Sequence, residues 1–240
     1  MTDIFFLCLH TCKMNTWYFV IAFFLFVFYM GVRSFQSVWT DNERSQALEL
    51  LAYFDKVATS TGARYYVMYG TLLGLVRHGG FIPWDDDMDV HVLAEDFDAM
   101  LKLIASNKDM SIQKMSPNFY KVCLYRNPTI PFRDWSWPFL DIFLVDICDD
   151  TIFCHHHPDA EGACVHDVFP TQRKQFENIY VSCPRNPMPV LDIEFGSSWR
   201  TSCVSSSYVH RNEVPNPFGG WRVPCDAVGE FSAIRRGEFI

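Results

Sequence analysis

The feature that most constrains this chain is an acidic stretch at residues 85–89, where four of the five side chains are carboxylates. Its neighbours are apolar, with Trp84 directly before it and Val90 directly after it. Two aspartates about 5 Å apart repel each other by roughly 3 kcal/mol at an effective dielectric constant near 20. A fold that places these groups beside a core therefore needs a compensating positive charge, and a divalent cation is the simplest source of it.

The residues around the acidic stretch predict a turn, a short helix and then a strand. The helix is expected at residues 71–78, between glycines, and the strand at residues 88–93. Because alternate side chains of a strand share one face, we expect Asp87 and Asp89 to point the same way. Asp86 is expected to point elsewhere. The paired carboxylates at the start of a strand predict a metal clamp.

Gly70 and Thr71 stand where the short helix begins. A glycine at this place lets backbone N–H groups approach a phosphate, and the helix dipole favours the negative charge. Arg77, near the end of the same helix, adds a guanidinium group that suits phosphate oxygens. We therefore predict that Gly70, Thr71 and Arg77 bind the phosphates of a donor.

A third metal ligand is expected from the strand predicted at residues 139–147, which carries Asp141 and Asp146. These two side chains lie five residues apart and so face opposite sides of the strand, and only one can face the metal. Asp141 has apolar neighbours on both sides, so its charge needs a partner. We predict that Asp87, Asp89 and Asp141 bind Mg²⁺ or Mn²⁺, which prefer oxygen ligands, and that they are catalytic. A solvated acidic turn is the alternative.

Outside the acidic stretch the chain alternates predicted helices and strands. Thr40 and Glu43 have the spacing of a capping box, at the start of a helix that Gly62 ends. A further helix is expected at residues 94–107. Strands are expected at residues 64–69, 119–126 and 139–147. This order is typical of an α/β or α+β fold, with a less regular portion after residue 150.

The N-terminal part contains 19 consecutive uncharged residues, from Met14 to Val32, between Lys13 and Arg33. As a helix this stretch is about 28 Å long, close to the roughly 30 Å hydrocarbon core of a bilayer. We therefore predict a single transmembrane helix that anchors the protein. A cleaved signal peptide is the alternative. The flanking charges nearly cancel as orientation signals, and the expected orientation has the C-terminal part in the lumen.

Charge and cysteines limit the partners. The chain carries 20 basic and 28 acidic residues, a formal charge of −8, which argues against nucleic acid as a partner. Nine cysteines favour the secretory route. Cys148, Cys154, Cys164 and His166 offer four zinc ligands, but their spacing matches no standard zinc pattern. A disulfide among these cysteines is favoured, while zinc and an exposed loop stay as alternatives.

Three segments resemble motifs of one known family. Residues 70–90 resemble the signature of the LicD family, which includes fukutin and fukutin-related protein. The sequence PFLDIF at residues 138–143 resembles the second motif of that family. FENIYVSCP at residues 176–184 and FGSSW at residues 195–199 resemble its third motif more loosely. The resemblance extends over residues 62–200.

The resemblance implies a nucleotidyltransferase fold similar to DNA polymerase β, with a mixed sheet. It places a catalytic domain at residues 62–200. The segments before this domain are the predicted membrane segment at 1–33 and a helical lead-in at 34–61. A loop-rich tail is expected at residues 201–240. By position, the resemblance also assigns the metal to Asp87, Asp89 and Asp141 and the phosphate turn to Gly70 and Thr71.

The activity that the resemblance implies is the transfer of a phospho-alcohol, such as phosphocholine or ribitol phosphate, from a CDP-linked donor. The acceptor would be a glycan on a protein or lipid, and the enzyme would lie in the Golgi or endoplasmic reticulum. Two alternatives stay open. One is a nucleotidyltransferase that acts on a small molecule, and the other is a non-catalytic glycan-binding relative.

Overall fold

A seven-stranded mixed sheet forms the centre of the fold, and the acidic stretch leads into β2 (Asp89–Leu93), one of its inner strands. The computed structural model describes residues 2–156 and 161–231, and for residues 2–16 and 229–231 it describes the backbone alone. The main path of the sheet runs in the order β1-β2-β5-β4-β3, and β6 and β7 extend it beside β5. These strands are β1 Tyr65–Val67, β2 Asp89–Leu93, β3 Met110–Ser116, β4 Phe119–Leu124, β5 Phe139–Cys148, β6 Thr151–Cys154 and β7 Ala163–Cys164.

The centre of the sheet is the parallel pair β2 and β5. Every residue of β2 is buried, as are the first seven residues of β5, because helices cover the sheet there. The other neighbouring strands of the main path pair antiparallel. The helices are α1 Thr2–Arg33, α2 Asp41–Thr61, α3 Tyr69–His78, α4 Ala94–Ser106, α5 Val165–Val168 and α6 Pro187–Phe195. The mixed sheet and the helices confirm the predicted α/β class.

Helix α2 forms where its sequence signals predict it. Thr40 accepts a hydrogen bond from the backbone N–H of Glu43, and the Glu43 side chain bonds back to the Thr40 backbone, which completes the capping box. Gly62 ends the helix with φ of 70°, in the left-handed region that favours glycine. The buried stripe of α2, which includes Leu51 and Phe54, packs against β4, β5 and α4.

Three strands of the sheet were not predicted, which are β3 on the main path and the short strands β6 and β7. Strand β3, Met110–Ser116, pairs with β4 at the end of the main path. Its side chains are mostly half-buried and many are polar, as in Gln113 and Lys114. An edge strand that rests on one neighbour needs little apolar alternation, so the sequence carried no clear signal for it.

The C-terminal part is more ordered than its composition suggested. It contains a hairpin of β8 Gln172–Phe176 and β9 Ile179–Cys183. Four short strands follow, which are β10 Ser202–Val204, β11 Tyr208–Val209, β12 Val214–Pro215 and β13 Arg222–Pro224, and 3-10 helices span Ser197–Arg200 and Cys225–Phe231. A disulfide between Cys203 and Cys225 closes this segment. The predicted loop-rich tail is therefore a cross-linked segment as far as residue 231, and the rest of it lies outside the described residues.

The predicted transmembrane helix falls on α1. Side chains are described from Trp17 onward, and the start of the predicted span, residues 14–16, lies outside that part. No helix within the part of the chain that the structure describes has the length and apolar character needed to cross a membrane. The predicted transmembrane helix is therefore not found there.

His78, the last residue of α3, is a buried histidine. Both ring nitrogens lack a hydrogen-bond partner among the described residues, and the ring packs edge-on against Trp84 with 5.7 Å between centroids. Burial, helped by the neighbouring charge of Arg77, lowers the pKa of His78 from its usual 6.5 to about 3. The folded protein therefore keeps this ring neutral where the unfolded chain would protonate it.

This difference predicts acid sensitivity. Between about pH 6.5 and 3 the unfolded chain binds a proton at His78 that the folded protein does not. The free energy of unfolding should therefore fall with acid by up to about 1.4 kcal/mol per pH unit from this group alone. His78→Phe removes the contribution, so urea denaturation between about pH 7 and 5 should show a shallower fall for the variant. An unchanged slope would contradict this role of His78.

Candidate active site

Three carboxylates, from two neighbouring strands and from the residues just before one of them, meet at one place. Asp89 opens β2 and Asp141 lies directly across from it on β5, because the two strands pair in parallel with these residues in register. Asp87 stands just before β2. One oxygen atom from each of the three side chains lies within 4.8 Å of the other two. The structure thus brings together the three residues that the sequence predicted as metal ligands, and they offer the hard oxygen donors that a divalent ion prefers.

Asp146, the other acidic residue of β5, lies elsewhere. Its side chain is exposed and pairs with His155. The choice between Asp141 and Asp146 therefore follows from the strand geometry, because residues five apart face opposite sides of the sheet.

The protein compensates the negative charge of this cluster only in part. Burial raises the pKa of Asp89 well above its usual value, and the charges of Asp87 and Asp141 raise it further. Burial also raises the pKa of Asp141 to about 7, against the opposing effect of Lys121. A bound cation would lower both values, because it stabilises the ionised carboxylates. The electrostatics of the cluster therefore suit a metal site.

Lys121 is a site residue that the sequence reasoning missed. It lies across from Asp141 in the antiparallel pairing of β4 and β5, and its Nζ donates to both carboxylate oxygens, at 2.8 and 2.9 Å. The same Nζ is 3.5 Å from the centroid of the Phe139 ring. The available signal was a single lysine within the otherwise apolar strand FYKVCL, since a buried lysine needs a partner.

The two remaining aspartates of the acidic stretch contact protein groups. Asp86 is buried, and its carboxylate accepts hydrogen bonds from the backbone N–H groups of His210 and Arg211. Asp85 lies against Gly70, where an added Cβ would stand 2.2 Å from its Oδ2. Gly70 is therefore needed for the close approach of Asp85.

Thr71 and Arg77 also bind protein groups. The backbone N–H of Asp89 donates to the Thr71 hydroxyl at 2.8 Å, which fixes the start of β2. Arg77 is buried, and its Nη1 donates to the carbonyl of Trp199 at 3.1 Å. Burial lowers the pKa of Arg77 to about 10. Phosphate binding by Gly70, Thr71 and Arg77 thus stays a prediction, since these contacts serve the fold.

A cavity of about 520 Å³ opens over Asp87 and Asp89, two of the three carboxylates. Its walls come from α3, from the acidic stretch and from C-terminal residues between 194 and 222, and Arg77 lines it. The volume is in the range of small-molecule and cofactor sites. Among its walls is His210, whose Nε2 lies 3.2 Å from Asp87 Oδ2. Sequence reasoning missed His210 because nothing near it in the chain indicates that it folds back to the acidic stretch.

The alternative of a zinc site at Cys148, Cys154, Cys164 and His166 is not met among the residues that the structure describes. Cys148, Cys154 and Cys164 are not disulfide-bonded, and His166 joins none of them in a group close enough to hold an ion. The favoured disulfide among these cysteines is therefore wrong as well. The cross-link that forms, Cys203–Cys225, lies further along the chain.

Comparison with known proteins identifies related domains. The family described as LicD/FKTN/FKRP, nucleotidyltransferase domain, matches residues 62–186. The ribitol 5-phosphate transferase FKRP of Mus musculus is 26% identical over 192 residues, which cover 76% of this chain and 36% of that protein. The lipopolysaccharide cholinephosphotransferase LicD of Haemophilus influenzae is 42% identical over 50 residues, which cover 21% of this chain and 19% of that protein.

Other matches carry less information. An uncharacterized protein of Rickettsia typhi is 26% identical over 150 residues, which cover 61% of this chain and 44% of that protein. The chain thus spans about half the length, or less, of these curated relatives. A lincomycin-bound lincosamide adenylyltransferase, LnuA, aligns with a TM-score of 0.39 and 11% identity over 62% of this chain and 96% of that one. That likeness is too low to carry an argument.

The carboxylate cluster predicts metal binding that depends on Asp141. Asp141→Asn removes one anionic ligand and should weaken Mn²⁺ binding by at least about tenfold, which is about 1.4 kcal/mol. Isothermal titration calorimetry of the purified chain with Mn²⁺ measures this affinity, and thermal unfolding checks that the variant folds. Asp146→Asn, an exposed change on the same strand, is the control and should bind as the parent does. Equal Mn²⁺ affinity for Asp141→Asn would rule the cluster out as the metal site.

Proposed function

The chain belongs to the LicD/FKTN/FKRP family of nucleotidyltransferase domains, and on that premise we propose that it transfers a phospho-alcohol from a CDP-linked donor to a glycan hydroxyl in a metal-dependent reaction. The relatives support this class of activity through their names, which describe a ribitol 5-phosphate transferase and a cholinephosphotransferase. Both of these activities move an alcohol together with its phosphate group. We further propose that the core has the polymerase-β-like arrangement that the family resemblance implies.

One observation carries the proposal, and it is the cluster of Asp87, Asp89 and Asp141, of which Asp87 and Asp89 line the cavity. These three residues would hold Mg²⁺ or Mn²⁺, and the bound ion would supply positive charge to the phosphates of the donor. Asp89 and Asp141 are buried and Asp87 is half-buried, with Lys121 paired to Asp141, so a bound cation would add positive charge that the cluster lacks.

The cavity offers protein groups that suit a nucleotide diphosphate. Helix α3 begins at its N-cap, Met68, without a side-chain cap, so the first-turn backbone around Gly70 and Thr71 can face a phosphate. Arg77 lines the same cavity and adds positive charge. Arg222, from β13, lines it as well. We propose that these groups orient the donor so that its distal phosphate lies beside the carboxylates. Positioning of the donor would then contribute much of the rate enhancement.

Asp141 is suited to a fixed role in this reaction. Both of its oxygens accept hydrogen bonds from Lys121, so the carboxylate is held in one orientation. A group held in this way is a better ligand than a proton acceptor for the glycan hydroxyl, because taking up a proton would disrupt its pairing with Lys121. We therefore assign Asp141 to metal binding.

The subcellular localisation of the enzyme stays a prediction. We expect the catalytic domain to lie in the lumen of the Golgi or endoplasmic reticulum. The Cys203–Cys225 disulfide supports an oxidising compartment. Protease protection of microsomes that contain the tagged full chain tests it. A lumenal domain should resist protease until detergent is added, whereas digestion without detergent would contradict the prediction.

The products of the reaction test the proposed function. The purified chain is incubated with Mg²⁺, a glycan acceptor and, in separate assays, CDP-ribitol, CDP-choline or CTP. Phospho-alcohol transfer breaks the diphosphate of the CDP-linked donor and releases CMP, whereas nucleotidyl transfer from CTP releases pyrophosphate. CMP release supports the proposal. Pyrophosphate release would replace it with nucleotidyl transfer, and glycan binding without either product would indicate the non-catalytic alternative.

Asp87→Ala should reduce CMP release by about a hundredfold or more, because it removes charge that positions the phosphates through the metal. Circular dichroism and thermal unfolding should show that the variant still folds, since Asp87 is the least buried member of the cluster. Retained activity in a folded Asp87→Ala variant would refute the assignment.

A further inference from the structure

The short hairpin of β11 and β12, Tyr208–Val209 and Val214–Pro215, brings its tip to the carboxylate cluster. This hairpin lies beyond residue 186, where the match to the family domain ends. Its tip, residues 210–213, brings His210 into the lining of the same cavity as α3. The family match therefore does not account for this wall of the cavity.

The hairpin tip reaches two of the three carboxylates. His210 does so directly, with Nε2 at 3.2 Å from Asp87 Oδ2. Glu213 does so through Lys121, whose Nζ lies 3.7 Å from Glu213 and 2.8 Å from Asp141. A displacement of the tip would therefore change the surroundings of both Asp87 and Asp141.

Asp86 holds the tip in this place. Its Oδ1 accepts the backbone N–H of His210 at 3.1 Å, and its Oδ2 accepts that of Arg211 at 2.9 Å. Only a carboxylate offers an acceptor at both positions, since an amide has one oxygen and one NH₂ group. Asp86 is 4% exposed, so these two bonds form away from water and are costly to lose.

The backbone of Asp86 is itself held firmly. The indole N–H of Trp137 donates to the Asp86 carbonyl at 2.6 Å. On the hairpin side, the Arg211 guanidinium stacks on the Trp137 ring at 4.2 Å and pairs with Glu43 at 2.7 Å. The carboxylate thus joins two fixed segments, and its neighbour Asp87 belongs to the proposed metal site.

We propose that Asp86 is a positioning residue of the active site, which holds the hairpin so that His210 orients the carboxylate of Asp87. Groups that hydrogen-bond a metal ligand commonly change metal affinity by about 10- to 100-fold when they are removed. The catalytic consequence rests on the proposed function, whereas the effects on the hairpin and on metal affinity do not.

Two variants distinguish the effect of the hairpin position from the effect of the contact between His210 and Asp87. Asp86→Asn keeps the size of the side chain but turns one acceptor into a donor that faces a backbone N–H. Amide hydrogen exchange over residues 208–215 should then become at least about tenfold faster, and Mn²⁺ affinity should fall by about tenfold. His210→Ala leaves the backbone N–H groups and their bonds to Asp86, so exchange should stay slow while Mn²⁺ affinity falls by a similar factor.

Further measurements check the catalytic part. In the CDP-donor assay both variants should lower kcat more than they change the KM for the donor, because Asp86 and His210 act on the ligand Asp87. Asp146→Asn serves as the control for mutation of an acidic residue, and it should match the parent in exchange, Mn²⁺ affinity and kcat.

Contrary results are equally specific. Faster exchange in Asp86→Asn with unchanged Mn²⁺ affinity and kcat would make Asp86 a structural residue only and overturn the proposal. Parental Mn²⁺ affinity in His210→Ala would overturn it as well, and that variant decides alone if Asp86→Asn does not fold. If the parent releases no CMP from any CDP-linked donor, the proposed function fails, while exchange and Mn²⁺ binding still decide the role of Asp86.

Discussion

The parallel pairing of β2 with β5 is the interaction on which the site depends. It sets Asp89 directly across from Asp141, so two like charges face each other in a buried sheet. Repulsion of this kind is tolerated only where other charges compensate it. Lys121 supplies one such charge from β4, the next strand. Burial, together with neighbouring carboxylates, still raises the pKa values of Asp89 and Asp141, and a bound cation would stabilise their ionised forms.

The C-terminal segment completes what the sheet begins. The sheet and the residues just before β2 supply the carboxylates and α3 part of the cavity lining, while the segment after α6 supplies much of the rest. Two buried side chains hold the C-terminal segment in place. Asp86 binds the backbone of the hairpin tip, and Arg77 binds the carbonyl of Trp199. The Cys203–Cys225 disulfide then closes the segment on itself. A stretch with little apolar pattern is therefore held mainly by hydrogen bonds and a covalent link, which explains why its composition resembled that of a loop.

The four aspartates of the acidic stretch have different tasks although they are neighbours in the chain. Asp87 and Asp89 belong to the carboxylate cluster. Asp86 binds the hairpin, and Asp85 packs against Gly70. Because side chains alternate along an extended chain, Asp86 points away from Asp87 and Asp89. What Asp86 binds could not be predicted in this way, because its partners lie 124 and 125 residues further along the chain.

The sequence by itself determined the elements that local rules control. Helix α2 begins at its capping box and ends at Gly62, and the apolar strands β2 and β5 form where predicted. Their periodicity also sufficed to prefer Asp141 over Asp146. Tertiary structure alone decided the partners of buried polar groups, such as Lys121 with Asp141 and His210 with Asp87. The physical reason is that capping and alternation act between near neighbours in the chain, whereas a buried charge pairs with whatever group the folded sheet and hairpin bring within a few ångströms of it.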